Sequence, residues 1–283
     1  MKHTTKSKSR IKRRIIFIIL LLMMLSFMMK VYFDTNVFKV NKEQFSSTKL
    51  EAGSELTILQ ITDVHSGSFG EDNSEILEKV KDLDADIIVM TGDLIDRKTK
   101  DLDIALHLAE ALAEVNPDTY FVTGNHEHEN PEKDAFLTGL ENRGVQILRN
   151  ENTKVEKAGQ LFNLVGVNDV STAHEDMSLA FAGADPQNYT VLLSHAPSVV
   201  QKYPDVRADL VLSGHTHGGQ VRMPFIGALI APDEGLFPEL QEGVYPLGTE
   251  RYLYIDSGLG TSGLPIRFLN QSQISLVTIQ GEG

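Results

Sequence analysis

Hydrophobic and polar positions change rhythm twice along the chain. Ile15 to Met29 is an unbroken run of Ile, Phe, Leu and Met with one Ser, and after Lys30 the stretch Val31-Tyr32-Phe33 extends it. About 19 residues at roughly 1.5 Å each give roughly 28 Å of helix, enough to cross the hydrocarbon core of a bilayer. Asp34 to Glu55 is polar, with one strand-like patch at Val37–Val40. From Leu56 onward, short β-rich runs alternate with helically spaced stretches, the pattern of a layered α/β domain. The predicted strands are Leu56–Thr62, Asp86–Thr91, Thr119–Thr123, Leu161–Val167, Tyr189–Ser194, Asp209–Ser213, Tyr252–Ile255 and Ile274–Ile279. The predicted helices are Ser74–Leu83, Leu102–Val115, Glu132–Arg143, Glu175–Ala182 and Ser198–Lys202. Gly218 to Gly248 is rich in Gly and Pro and reads as a long loop or hairpin.

The organisation that follows is a basic cytoplasmic tail (1–14), a transmembrane anchor or signal segment (15–33), a linker (34–54) and one domain (55–283). Seven basic residues precede the apolar run, and the first Ala in the chain is Ala52, so no A-x-A-like cleavage site follows it. That favours a retained anchor over a cleaved signal peptide, in which case the protein is secreted. The pair Arg13-Arg14 fits a twin-arginine export signal only in part. In each reading the basic end stays cytoplasmic and the domain lies outside the membrane.

Charge sharpens this division. The formal net charge is −13, but residues 1–30 hold eight Lys/Arg and no acid, which leaves 18 basic and 39 acidic residues beyond them, a net −21. So acidic a body repels polyanions at long range, and duplex nucleic acid is not an expected partner. The chain has no Cys, which excludes disulfides, zinc–thiolate sites and thiol nucleophiles. Any metal must be held by His, Asn, Asp or Glu.

Such residues follow five of the predicted strands. Leu56–Thr62 runs into Asp63-Val64-His65, Asp86–Thr91 into Gly92-Asp93, and Thr119–Thr123 into Gly124-Asn125-His126-Glu127. Tyr189–Ser194 runs into His195, and Asp209–Ser213 into Gly214-His215-Thr216-His217. Ligand sites in open α/β sheets form at the carboxyl ends of strands, so five neighbouring ends can place these groups in one crevice. In extended backbone, residues i and i+2 face the same way, so Asp63 with His65, and His215 with His217, can each aim at one point. Imidazole with carboxylate suits Mn, Fe, Zn or Co. The donors outnumber the needs of one tetrahedral zinc, and two divalent ions sharing a carboxylate fit the count better.

Taken together, these residues resemble the signature of the calcineurin-like metallophosphoesterases over about residues 55–280. The segments 218–224 and 258–267 are similar to the YkuE/YaeI-type branch of bacterial membrane-associated or exported phosphoesterases. Asp256-Ser257 and Asn270-Gln271-Ser272-Gln273 depart from that pattern. The resemblance implies an α/β fold, a four-layer α-β-β-α sandwich of two mixed sheets. It implies that Asp63, His65 and His217 hold a first metal, that Asn125, His195 and His215 hold a second, and that Asp93 bridges the two. His126 would face the substrate and Glu127 would orient His126. Asp96 and Arg97 extend the Gly-Asp motif, and both a surface ion pair and a direct role stay open for them.

The expected activity is hydrolysis of a phosphate ester or pyrophosphate by a metal-bridging hydroxide, with Mn the foremost metal. Two divalent ions, two carboxylates and one hydroxide leave the site at +1, which attracts a phosphate despite the acidic body. The expected partners are a phosphorylated small molecule or lipid and, through the N-terminal segment, the membrane, with the protein a monomer. Phe225, Ile226, Leu229 and Ile230 are read either as core or as a lipid-facing lip. The competing function is a non-catalytic scaffold of the same fold that binds a partner.

Overall fold

The computed structural model describes residues 3–157, 159–231 and 235–283. Met1 and Lys2 of the expected basic tail, and residues 232–234 of the expected 218–248 loop, lie outside the described residues. Helix α1 (His3–Asn36) contains the apolar run. Its span from Arg10 to Asn36 has a mean hydropathy of 2.5 in its most apolar window, none of which is buried in the protein, and is long and apolar enough to cross a membrane.

Beyond α1, two six-stranded sheets lie face to face. The first has the order β1 (Lys39–Ser47), β16 (Gln273–Gly281), β2 (Glu55–Ile61), β3 (Ile87–Met90), β4 (Thr119–Phe121) and β5 (Gln146–Ile147). The second has the order β14 (Gly243–Gly248), β15 (Arg251–Ile255), β9 (Leu210–Ser213), β8 (Tyr189–Leu193), β7 (Gln160–Gly166) and β6 (Glu151–Lys157). Both are mixed: β2 to β5 run parallel and β16 opposes β2, while β7, β8, β9 and β15 run parallel and β6 and β14 oppose their neighbours.

Strands apolar on both faces account for the four layers. Ile58, Ile87, Val89, Val191, Leu210 and Leu212 point between the sheets and share one core with Phe162 and Tyr254. Their alternates Leu59, Ile88 and Met90 point the other way, into a core with helices α2 (Ser74–Leu83), α3 (Asp103–Val115) and α5 (Lys133–Glu141). On the outer face of the second sheet, Leu192 and Val211 meet Ala180 and Val199 of the short helices α6 (Met177–Ala180) and α7 (Val199–Lys202). The fold is the expected α-β-β-α sandwich of two mixed sheets.

The stretch 34–54 departs from its reading as a linker. It carries β1, which pairs in parallel with β16 over nine residues, from Lys39–Gln273 to Ser47–Gly281. An edge strand has one solvent-facing side, so its polar side chains do not announce it. The 218–248 segment forms two small hairpins, β10 (Arg222–Met223) with β11 (Gly227–Ala228) and β12 (Ile230–Ala231) with β13 (Gly235–Leu236), before β14.

Candidate metal centre

Parallel strands end side by side, and the loops after them are laced by main-chain hydrogen bonds. Asp63 N donates to Gly92 O, His65 N to Asp93 O, Leu259 N to Thr62 O and Gly214 N to His195 O. The ends of β2, β3, β4, β8 and β9 therefore meet across both sheets. All seven expected ligands, and His126, are buried there.

Convergence of the Asp63–His65 and His215–His217 pairs has a different cause from the one expected. None of the four lies in extended backbone. Asp63 (φ 53°), His65 (φ 50°), His215 (φ 72°) and His217 (φ 50°) all adopt the left-handed region just past their strands. Non-glycine residues avoid that region, and its use clusters at functional sites. Two glycines make room for this geometry. A Cβ on Gly124 would lie 2.1 Å from Asp93 Oδ1, and one on Gly214 would lie 2.3 Å from Asp63 Oδ2.

The ligand atoms of Asp63, His65 and His217 lie within 4.8 Å of one another, as do those of Asp93, His195 and His215, and those of His65, Asp93 and His126. Within the first group His65 Nε2 is 3.0 Å from His217 Nε2, and His217 Nε2 is 3.4 Å from Asp63 Oδ1. Within the second, His195 Nε2 is 3.2 Å from Asp93 Oδ2 and 3.1 Å from His215 Nδ1. The Asn125 side-chain amide faces His195 Nε2, His215 Nδ1 and Asp93 Oδ2, each at 3.2 Å. Asp93 Oδ2 is also 3.8 Å from His65 Nε2, so this carboxylate stands between the two groups.

This donor set fits cations. Oxygens and imidazole nitrogens are turned on one another with too few protons to satisfy them, the arrangement that a shared positive charge resolves. The tautomers point the same way. His65 Nδ1 donates to Asp96 Oδ1 at 3.1 Å and His195 Nδ1 donates to the Thr91 carbonyl at 2.8 Å, which leaves each Nε2 lone pair facing inward. The two carboxylates also make the site negative. Burial opposes charge on His195, but Asp93 and Asp63 overrule it and hold its pKa well above the ordinary value, so that a proton on this ring competes with a cation for the same place. His217, deeply buried, is pulled down to about 3 and stays neutral.

The neighbours of His126 differ from those expected. Glu127 does not hold the His126 ring. Its Oε2 accepts from Gly124 N (2.8 Å) and Asp93 N (2.9 Å), and its Oε1 from Ile95 N (3.2 Å). It binds the loop after β3 to the start of helix α4 (Asn125–Glu129), because acceptors are needed where main-chain N–H groups of a loop and a helix start are orphaned. Burial, with Asp93 nearby, pushes Glu127 up to about 7. The His126 ring is held by Asp96 and Arg97: Nδ1 lies 3.0 Å from Asp96 Oδ1, and Arg97 Nη1 donates to Nε2 at 2.7 Å. Arg97 also pairs with Glu129 at the surface, so it takes part in a surface ion pair and in a contact with the His126 ring.

Four residues support the site in ways the sequence does not show: Thr62, Thr91, Asn130 and Asp256, the last visible there only as a departure from the family pattern. Asn130 fixes the Asp96 loop by donating to the carbonyls of Asp96 (2.6 Å) and Thr99 (2.9 Å). Buried Asp256, raised to about 7 chiefly by desolvation, accepts from Gly258 N at 2.7 Å, and the turn that follows passes beneath Asp63. Nothing in their local sequence marks this support, since each acts through a main-chain or loop contact formed only on folding.

Comparison with known proteins agrees with this geometry. A metallophosphoesterase of Aquifex aeolicus (strain VF5) is 32% identical over 265 residues, covering 89% of this chain and 95% of its own length. The metallophosphoesterase YkuE of Bacillus subtilis (strain 168) is 27% identical over 258 residues, covering 88% of each chain. Among solved structures, the sulfate thiohydrolase SoxB of Thermus thermophilus in complex with glycerol shares the fold, with a TM-score of 0.53 at 12% identity over 82% of this chain and 57% of that one. The calcineurin-like phosphoesterase family matches residues 56–219, more than half of the sequence and all seven converging residues expected as ligands, and the chain belongs to that family.

Proposed function

We propose that this protein is a two-metal phosphoesterase acting outside the cytoplasmic membrane, to which α1 anchors it. The observation that carries the reading is the ring of facing acceptor atoms around Asp93. Asp63, His65 and His217 would hold one divalent ion and Asn125, His195 and His215 the other, with Asp93 between them. Manganese is the foremost metal, with iron, zinc and cobalt as alternatives. Bound there, the ions would clamp the phosphoryl oxygens and activate a water for attack on phosphorus.

The chain's own residues supply the rest. Asp63 and Asp93 are the only carboxylates among the ligands, so two divalent ions leave the site positive and able to draw a phosphate. His126 and Arg97 stand together at the edge of the cluster, where they orient the phosphate and stabilise the charge that grows on it. When the leaving oxygen needs a proton, His126 would supply it from Nε2 once Arg97, which donates to that nitrogen here, turns onto the phosphate and the ring takes up a proton in its place. Asp96 fixes the His126 ring through Nδ1. Glu127 keeps Asp93 and Asn125 in register through the main chain.

The test is hydrolysis of p-nitrophenyl phosphate and its bis ester by the full chain, with metal content measured in parallel. Turnover with added Mn²⁺, its loss on chelation and about two equivalents of bound metal are expected. A folded, metal-loaded protein that hydrolyses neither ester would instead favour the non-catalytic scaffold.

A further inference from the structure

The anchor does not stand clear of the catalytic domain. Phe27, inside the apolar span, packs on Phe268 with ring centroids 4.8 Å apart. Arg267 N donates to Thr35 Oγ1, Ser272 N to Asp34 O and Lys39 N to Ser272 O. Phe27 lies six residues before Phe33, the end of the apolar run, or roughly 9 Å along the helix axis. Whatever touches Phe27 therefore sits at the level of the membrane that α1 crosses.

Phe268 leads directly to the metal cleft. It bridges Val221 in parallel, Arg222 N donates to Phe268 O, and Phe268 N donates to Gln220 O, three residues past His217. From that point the two small hairpins project. A Cβ on Gly219 would strike Ala228 Cβ at 2.2 Å, so the hairpins lie against the segment that carries His217. Their apolar side chains face outward: Phe225, Ile226, Ile230, Leu236 and Phe237 are exposed, as is Leu264 on the neighbouring turn, Leu236 by 72%. Phe225 and Phe237 are held at φ 67° and φ 55°, a region that bulky residues avoid. An apolar patch of this kind, rimming a site and continuous with a membrane span, marks a surface that is covered in use.

From this continuity we infer that the rim bearing these six residues lies in the surface of the same bilayer that α1 spans, and that the metal cleft acts on phosphate esters carried by membrane lipids. The substrate part rests on the phosphoesterase reading above; the rim part does not. The occupant is the bilayer because the rim meets the protein's own membrane span through Phe268. The net −21 of the body makes apolar insertion, and not attraction to anionic headgroups, the force that seats it.

The absence of any native Cys makes the test direct. Full-length protein carrying Phe225→Cys, Leu264→Cys or His107→Cys, the last on the exposed face of α3, is spin-labelled and reconstituted in phosphatidylcholine vesicles. Labels at 225 and 264 are expected to show high oxygen and low nickel-chelate accessibility, and the label at 107 the reverse. A water-exposed label at 225 overturns the proposal, and so does one shielded from both reagents, which would report a protein partner or a second copy. For substrate class, Phe225→Ser/Leu236→Ser should lower turnover of phosphatidic acid or of a polyprenyl phosphate in vesicles at least tenfold while leaving p-nitrophenyl phosphate turnover unchanged. Equal effects on both, or an enzyme active on p-nitrophenyl phosphate and inert on lipid phosphates, overturns the substrate assignment. Inactivity on every ester together with membrane-embedded labels would overturn the phosphoesterase reading and leave the rim standing.

Discussion

His65 and His126 are tied to one carboxylate oxygen: Asp96 Oδ1 lies 3.1 Å from His65 Nδ1 and 3.0 Å from His126 Nδ1. One residue thus sets the ring orientation of a proposed metal ligand and of the proposed substrate-facing histidine. Burial opposes charge on Asp96, but the two imidazoles hold its pKa well below the ordinary carboxylate range, so it accepts from both. Asp96→Asn keeps the shape and loses the charge. It should cost about 10–100-fold in metal affinity or in activity, the range typical of residues that orient ligands. Metal titration followed by kcat and KM on p-nitrophenyl phosphate at saturating metal separates the two routes; wild-type values in both would refute the shared role.

Removing His126 probes the chemistry without the metals. His126→Ala should retain two equivalents of metal and lose roughly a hundredfold or more in kcat, the contribution of a positioned general acid. Intact turnover in the folded variant would eliminate that role. Arg97→Ala, which removes the guanidinium 2.7 Å from His126 Nε2, should lower kcat as well as raise KM, since that group is proposed both to orient the phosphate and to stabilise its growing charge.

Gly124→Ala inserts one methyl group where Asp93 Oδ1 already sits 2.1 Å away. The backbone there is extended (φ −97°, ψ −177°), so alanine itself meets no conformational barrier. The methyl would also lie 2.8 Å from Asp93 N, so main chain as well as carboxylate must shift. The expected outcome is a folded protein with a lowered thermal melt, less than two equivalents of metal and activity reduced by more than about a hundredfold, the scale of a misplacement near 1 Å. Full metal content would show that Asp93 can move without cost.

Asp86 clasps the two sheets. Its carboxylate accepts from Thr57 N (2.7 Å) and Thr57 Oγ1 (2.9 Å) in the first sheet and pairs with Lys157 of the second. Partial burial opposes the charge, but Lys157 and Thr57 win and lower the pKa. A depressed folded value means that the contribution is present above the unfolded carboxylate pKa and is lost as pH falls through the folded one. Asp86→Asn should therefore be less stable at pH 7, by under about 1 kcal/mol because the pair is largely solvent-screened. The gap should close as pH falls through that lowered folded value. Denaturant midpoints at pH 7 and in acid check this, and a gap that widens in acid would reverse the assignment.

How far the sequence reaches is visible in particular elements. Ser74–Leu83 is legible as a helix to the residue, since Ile76 and Val80 lie one turn apart on its buried face. The strands before the ligands were legible because unbroken apolar runs bounded by Gly and Asp have few other solutions. β1 was legible only at its start, where it overlaps the strand-like patch Val37–Val40, because its partner is 234 positions away at the far end of the chain.

By itself the sequence determined the chemistry on offer: which strand ends carry nitrogen and oxygen donors, that no thiol competes, and that a segment long and apolar enough to cross a membrane precedes them. Those facts are local, written in side-chain type and spacing. Only the tertiary structure decided what each donor does. It turned Asp63, His65, His215 and His217 inward through left-handed turns where strand alternation had seemed the cause. It gave the His126 ring to Asp96 and not to the adjacent Glu127, and it packed Phe268, which borders the strand that opens the first small hairpin, on Phe27 of α1. Each of these depends on contacts between segments distant in the chain, whose geometry is set by packing two sheets together and not by any residue's neighbours.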